Sequence, residues 1–397
     1  MIGITIRGRI TYENPRQALS IRYRSAAAAF ELNHPRIPLL VPDLPRRADL
    51  EPFLAEIDNA RWYTNFGPLV RRFEHSVQSL FPAPAPFLST VANGTMALEL
   101  ALAALRLPPR AHVLIPAFTF VATAAAVLRA GLRPIIADID AHSWVLTPAI
   151  ARAAMTTTKI DCVLPVAALG CPLPAAEWDD FSERSGIPVL VDAAGAFGNQ
   201  QPGERIVLAF SMHATKALGI GEGGLVVSRD AAFIERVRRL SNFGIDPSNG
   251  HAPDVGGNAK LSELHAAVGL AALTRWPERR RLREALNQAY CDELLRNSPE
   301  ITLQARPLDG AYTIFQLLLQ PGVSRDALVS ALTAQGIETR AWYLPLLPDH
   351  PAYAGIEAFD LPVARSLGPR MLGLPFHLEL TQESIRRVCS ALAEAIN

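Results

Sequence analysis

The chain has 397 residues, of which 49% are hydrophobic, and 38 Lys+Arg balance 38 Asp+Glu. That length exceeds the roughly 250–300 residues at which single cores stop growing, so two packed regions are expected. The even charge supplies no broad field for nucleic acid or anionic lipid, which argues against DNA binding. Cys162, Cys171, Cys291 and Cys389 are scattered and lack Cys-x-x-Cys spacing. They suit reduced thiols in a cytoplasmic protein, with no metal implied. Charges at Arg7, Arg9, Glu13 and Arg16 break up the apolar residues of the N-terminus. Neither a signal-peptide core nor a spanning run of about 18 apolar residues is expected, and the protein reads as cytoplasmic.

The first 36 residues carry no strong pattern and read as an extension. Beyond them, Ser89–Thr95 precedes a predicted helix over Thr95–Leu105, where free amides and a hydroxyl converge as they do at an anion site. An ordinary helix cap explains the same residues. Apolar runs rich in Val, Ile, Leu and Ala follow at Ala111–Pro116, Pro134–Asp138, Ile160–Pro165, Ile187–Asp192, Ile206–Ser211 and Gly224–Ser228. They read as strands buried on both faces. Helices are predicted between the earlier ones, over Thr119–Arg129, Pro148–Met155 and Pro174–Ser185. Strand and helix in alternation predict an α/β fold with a mainly parallel sheet flanked by helices. The period then turns helical through Ala231–Leu240, Leu261–Ala272 and a charged helix near Pro277–Arg296.

The last hundred residues change character. An apolar run, Tyr312–Leu319, and helices near Arg325–Gln335, Pro362–Met371 and Gln382–Ile396 predict a smaller α+β unit. The division expected is 37–275 for a large domain, whose N-terminal segment contributes to the small lobe, and 276–397 for the small one.

Chemistry is concentrated in the middle. Lys216 is one of only three lysines, with Lys159 and Lys260, and it stands between Ser211 and the glycine-rich stretch Gly221–Gly224. Asp192 closes an apolar run upstream. A carboxylate for a pyridine nitrogen, a hydroxyl for a phosphate and an amine for an aldehyde are what pyridoxal phosphate requires. Asp192 alone reads as a helix cap, and Phe120 alone as a core residue. His213, three residues before Lys216, fits a wall residue as well as a base and is left out of the catalytic set.

Five segments together, Asn93–Leu98, Pro116–Thr123, Val191–Ala194, Ser211–Lys216 and Gly256–Glu263, resemble in order and spacing the DegT/DnrJ/EryC1/StrS aminotransferases. The likeness runs from near Ile37 to Pro375. It implies the fold-type-I architecture of pyridoxal phosphate enzymes, a homodimer with shared active sites, and amino transfer from glutamate to a nucleotide-linked keto-sugar. Lys216 then resembles the Schiff-base lysine and Asp192 the pyridine-nitrogen partner, the two forming the catalytic pair. Gly94, Thr95 and Ser211 resemble the phosphate cradle, Phe120 the stacking ring, and Asn258 a phosphate contact from the neighbouring subunit. Four positions depart from the pattern: Ala167 and Phe243 each replace a frequent His, Gly195 a Gln or His, and Leu347 the usual His of a C-terminal substrate loop. The departures leave a non-sugar carbonyl open as acceptor. A non-catalytic pyridoxal-phosphate-binding regulator is the rival from another class, and a sugar dehydratase with His at the lysine position is opposed by Lys216 itself.

Overall fold

Short runs in which nearly every side chain is buried build a central sheet in the computed structural model, which describes residues 35–297 and 301–396. The expected N-terminal extension therefore lies almost wholly outside the described residues. Helices α1 (Arg47–Ala60) and α2 (Pro68–Gln78) lead into β1 (Phe87–Val91) and α3 (Gly94–Ala104). Then β2 (His112–Pro116), α4 (Ala122–Arg129), β3 (Arg133–Ala137), α5 (Pro148–Met155), β4 (Cys162–Val163), α6 (Ala175–Ser185) and β5 (Leu190–Asp192) alternate. They are followed by β6 (Val207–Ser211), β7 (Gly224–Ser228), α7 (Ala231–Ser241) and the long α8 (Glu263–Asn297).

Strand order is β1-β7-β6-β5 in one block and β10-β3-β2-β4 in the other, where β10 is Glu357–Ala358. Parallel bridges from Val163 to Val189 and from Val166 to Asp192 join the blocks at the edge between β4 and β5. Only β7 runs against its neighbours, pairing antiparallel with β1 and β6. The remaining pairs are parallel, as the alternation of strand and helix predicts. Register sets Asp192 opposite Ala209, and Ser211 opposite Gly224, so β5 and β6 deliver polar residues to the same edge of an otherwise apolar sheet.

A second core lies beyond β8 (Thr302–Leu303), where β9 (Phe315–Leu318) and β11 (Met371–Leu374) pair antiparallel. It gathers Phe315 and Leu317 with Leu328 and Leu332 of α9 (Arg325–Ala334), and with Val388 and Leu392 of α11 (Gln382–Ile396). Ile37 joins this second core from the N-terminal side, whereas Leu346, Leu347, Ala364 and Met371 belong to the first. The chain thus crosses between the cores several times. Asp138, just past β3, accepts from the Val363 and Ala364 N–H groups at 2.8 Å and so fixes the start of α10 (Pro362–Leu367) on the large sheet.

Two expectations are corrected. The helices predicted at Leu261–Ala272 and Pro277–Arg296 are one helix, α8, with Pro277 inside it. A proline there removes one hydrogen bond and costs about 3 kcal/mol. Burial on both flanks offsets that cost: Ala266, Leu270 and Trp276 enter the first core, Leu286, Tyr290 and Leu294 the second. The helix expected over Pro362–Met371 is α-helical only to Leu367, tightens to a 3-10 turn over Gly368–Arg370, and gives way to β11 at Met371. Pro369 lacks the N–H that would continue the α-helical ladder, while its fixed φ is compatible with the tighter turn.

Candidate active site

The carboxyl ends of β5 and β6 carry the polar residues that the sheet delivers. Asp192, 5% exposed, closes β5. Its Oδ2 accepts from Thr123 Oγ1 at 2.7 Å and its Oδ1 from the Ala194 N–H at 3.1 Å. Thr123 Oγ1 also lies 2.7 Å from Thr119 Oγ1. Since Thr123 spends its one proton on Asp192, Thr119 is the donor of that second bond. Burial raises the Asp192 pKa, while the Thr123 and Ala194 donors and the Lys216 charge oppose the rise.

Lys216 stands in the loop after β6, its N–H on the His213 carbonyl at 2.8 Å. Burial pushes its ammonium below the usual lysine range, and Asp192 is the charge that pulls it back. Desolvation thus works against both charges, while each charge favours the other. His213, by contrast, is exposed, its Nδ1 2.9 Å from Thr215 Oγ1 and its Nε2 3.9 Å from Glu222.

Next to this pair is the start of α3. Asn93 Oδ1 accepts the Met96 N–H at 2.9 Å, which leaves the Gly94 and Thr95 N–H groups with no helical acceptor. Those donors and the helix dipole suit an anion. Gly94 is tight against Ser211: a Cβ there would stand 2.6 Å from Ser211 Cβ and 3.1 Å from its Oγ. Gly224 gives the same closeness below, since a Cβ on it would come within 2.2 Å of the Asn93 carbonyl oxygen. Gly94→Ala is expected to cost about 1–3 kcal/mol of fold stability through the clash with Ser211 and, by displacing Ser211 from the α3 start, to weaken phosphate-anchored ligands by roughly 10-fold or more. Titration of pyridoxal phosphate into the variant checks this, and unchanged affinity would remove Gly94 from the cradle.

Phe120 lies in the turn between β2 and α4, 54% exposed, its carbonyl accepting the Thr123 N–H. The ring thus stands open beside the Thr119–Thr123–Asp192 chain. Asn258 is brought elsewhere: it is exposed, and its Oδ1 accepts from Lys260 Nζ at 2.8 Å while that ammonium sits over the Phe243 ring. Its neighbour Ala259 offers its carbonyl to the Ala92 N–H at 2.7 Å, just before the α3 start.

The family model of the DegT/DnrJ/EryC1/StrS aminotransferases matches residues 47–393. The chain belongs to this family. Among its relatives, Protein Rv3402c of Mycobacterium tuberculosis is 32% identical, over 91% of this chain and 90% of that one. The dTDP-4-amino-4,6-dideoxy-D-glucose transaminase of Escherichia coli is 31% identical over 91% and 99%. Among solved structures, DesI in the presence of its TDP-sugar product superposes with a TM-score of 0.83 at 31% identity, covering 92% of this chain and 94% of that one. The fold is that of the pyridoxal-phosphate-dependent aminotransferases, and pyridoxal phosphate is the cofactor of this DegT/DnrJ/EryC1/StrS enzyme. The residues fit it. A cradle that a single Cβ would fill, a buried carboxyl and a desolvated amine match the cofactor's phosphate, ring nitrogen and aldehyde.

Sequence reasoning passed over Thr119, Thr123 and Tyr343. The ring of Tyr343 meets Phe118 edge-on at 5.2 Å. Burial and the Asp192 carboxylate push its phenol up to about 12, with the Leu169 N–H acting in the opposite sense. The signal for the threonines was present, a pair spaced i, i+4 after a strand. Nothing local marked Tyr343, whose loop drew notice only for its missing His at Leu347. Leu347 itself is fully buried and donates its N–H to the Ala117 carbonyl at 3.3 Å.

Proposed function

We propose that this enzyme moves the amino group of glutamate to the keto group of a nucleotide-linked keto-deoxysugar, using Lys216 and Asp192 as its catalytic pair. The observation that carries the reading is the buried Asp192–Lys216 pair beside the tight Gly94–Ser211 cradle. The sugar acceptor is supported by the E. coli transaminase and by DesI with its TDP-sugar product.

Pyridoxal phosphate, when bound, supplies an aldehyde that takes up the amine and a ring that delocalises an electron pair. Asp192 holds a proton at the ring nitrogen, and Thr123, backed by Thr119, keeps the carboxylate aimed. Lys216 Nζ, whose ammonium burial disfavours, takes the proton from the donor's α-carbon and returns one to the acceptor side in the second half. Gly94, Thr95 and Ser211 anchor the phosphate, and Phe120 covers the ring. Arg340 is exposed and stacked on Trp342, 4.0 Å from ring centroid to guanidinium carbon, which leaves its donors for an anionic diphosphate.

The proposal includes a homodimer in a cytoplasmic setting, with Asn258 reaching the partner's phosphate. A large unit over residues 37–275 and a smaller one over 276–397 also belong to it. Mixing Lys216→Ala with an inactive Asn258→Ala variant is expected to restore about a quarter of the activity per dimer site on random exchange, as complementation of a shared site requires. Exchange of subunits without any recovery would separate the sites.

The substrate class is tested by single-turnover assay. Enzyme first reacted with glutamate should recover its original visible band rapidly with nucleotide-linked keto-sugars and slowly with free carbonyl compounds. The reverse order would sink the sugar acceptor and leave the transaminase reading intact. Cofactor uptake with no response to glutamate or other amino donors would favour the regulator.

A further inference from the structure

The chain that leaves β4 is bonded to the chain that carries Asp192. Val166 bridges Asp192 in parallel, and the Ala167 N–H donates to the Asp192 carbonyl at 2.9 Å. The turn Ala168–Gly170 follows, with Leu169 left-handed at φ 59°. A branched side chain persists in that region only where its surroundings hold it. Gly170 packs directly on the continuation of β5, since a Cβ on it would stand 2.8 Å from the Gly195 carbonyl oxygen. The segment Asp192–Gly195, with the carboxylate and its Ala194 donor, thus rests on this turn.

Side chains from elsewhere take each carbonyl of the turn. Gln304 Nε2 donates to that of Ala168 at 3.3 Å, Arg306 Nη1 to that of Leu169 at 3.3 Å, and Asn199 Nδ2 to that of Gly170 at 3.0 Å. Gln304 and Arg306 stand on one strap that leaves β8 of the second sheet, its Ala305 N–H anchored on the His142 carbonyl at 2.9 Å. Asn199 is tied to the same strap, its Oδ1 accepting the Ala311 N–H at 2.7 Å. The segment that enters the second core therefore grips the turn beside Asp192.

Arg306 is the centre of that grip. Its guanidinium carbon lies 3.6 Å from the centroid of the Tyr312 ring, and its Nη2 donates to Asn287 Oδ1 of α8 at 3.0 Å. The Tyr312 hydroxyl donates to the Pro307 carbonyl at 2.6 Å and Asn287 Nδ2 to that of Leu308 at 3.0 Å, so the strap closes around the guanidinium. Its hydrogen-bond acceptors among the described residues are carbonyls and an amide, with no carboxylate among them. A planar fork in such a place holds several acceptors at fixed mutual distances, which an ammonium does less well. We propose that Arg306 is a positioning residue for Asp192: by joining the Leu169 carbonyl to Asn287 and the strap, it fixes the turn on which Asp192–Gly195 rests. Its weight in turnover rests on the assignment of Asp192 above.

Arg306→Met removes every donor. Hydrogen exchange at the Ala167 and Ala194 amides, both of which donate to Asp192, should quicken about tenfold or more in the apoenzyme, beyond any change at the β9 amides that report overall stability. In the loaded enzyme kcat should fall about 10–100-fold with the KM for glutamate within about threefold, and Arg306→Lys should recover part of both losses. Asn199→Ala frees the neighbouring carbonyl and should give the same pattern; the double variant should lose less than the product of the single losses, because both act through one turn. Tyr290→Phe, which loses a buried bond to the Pro375 carbonyl at 2.7 Å, is the stability control and should lower the melting temperature alone. Unchanged exchange at Ala167 and Ala194 in folded Arg306→Met overturns the assignment, as does quickened exchange with kcat no lower than in Tyr290→Phe. If Arg306→Met does not fold, Arg306→Lys and Asn199→Ala decide by the same readouts. Wild-type protein with no response to glutamate would sink the transaminase reading alone, because exchange in the apoenzyme reports the hold on Asp192 directly.

Discussion

Lys216→Ala should lower turnover by on the order of 10⁴-fold or more, the largest effect of any single change in this chain. Nucleophile and proton carrier are the same amine, so one substitution removes two functions, and proton transfer alone is worth roughly 10²–10⁴-fold. The apoenzyme should stay folded and gain slightly in stability, because burial disfavours the ammonium. Since its folded pKa lies below the ordinary lysine value of 10.5, the wild-type chain is the less stable of the two below that lowered pKa. The deficit shrinks as pH rises through it. Borohydride reduction followed by peptide mass mapping gives the check. Cofactor mass should be fixed at residue 216 of wild type and be absent from the variant. Label at Lys159 or Lys260 would end the assignment. Lys159 is in any case committed to Asp161 at 2.7 Å, and Lys260 to Asn258.

How much of this was legible in the chain follows from how each residue is held. Asp192, Ser211 and Gly94 stand at the ends of short apolar runs or at a helix start, so period and punctuation placed them at one sheet edge. Thr123 is meaningful only through Asp192, 69 residues on, and Tyr343 only through Leu169 and Asp192 in another part of the fold. The start of α2 shows the same limit. Gly67 offers no side-chain cap; Glu263 supplies both bonds, to the Leu69 and Val70 N–H groups at 2.8 and 2.9 Å. A Cβ at Gly67 would stand 2.6 Å from the Glu263 carboxyl carbon, so that glycine answers to a residue nearly two hundred positions away. Pro277 misled because local propensity carries no information about the two cores that α8 joins. The edge strand β1, antiparallel to β7 and absent from the sequence reading, is short and begins at the exposed Phe87.

Asp192→Asn separates the structural from the chemical use of the carboxylate. The amide can keep its oxygen on the Ala194 N–H, and its NH2 can face Thr123 if that hydroxyl turns to donate to Thr119, so every buried group keeps a partner. Folding should survive. Turnover should fall by about 10²–10³-fold, the usual loss when one preorganised electrostatic group is removed, because a neutral amide cannot hold the proton at the ring nitrogen. The apoenzyme should respond in the opposite sense. Burial raises the Asp192 pKa, so the stability that its protonated form contributes is complete below about pH 4 and is lost as pH rises through the folded value. The Asn variant carries no such loss. Urea melts of the two apoproteins should therefore agree near pH 4 and diverge toward neutral pH, with the variant the more stable. Equal melts at pH 7 would mean that Asp192 ionises in the fold without penalty, and near-normal turnover would reduce it to a turn residue that accepts the Ala194 N–H. Lower activity with higher apo stability is the pattern that a carboxylate buried for a cofactor's positive charge requires.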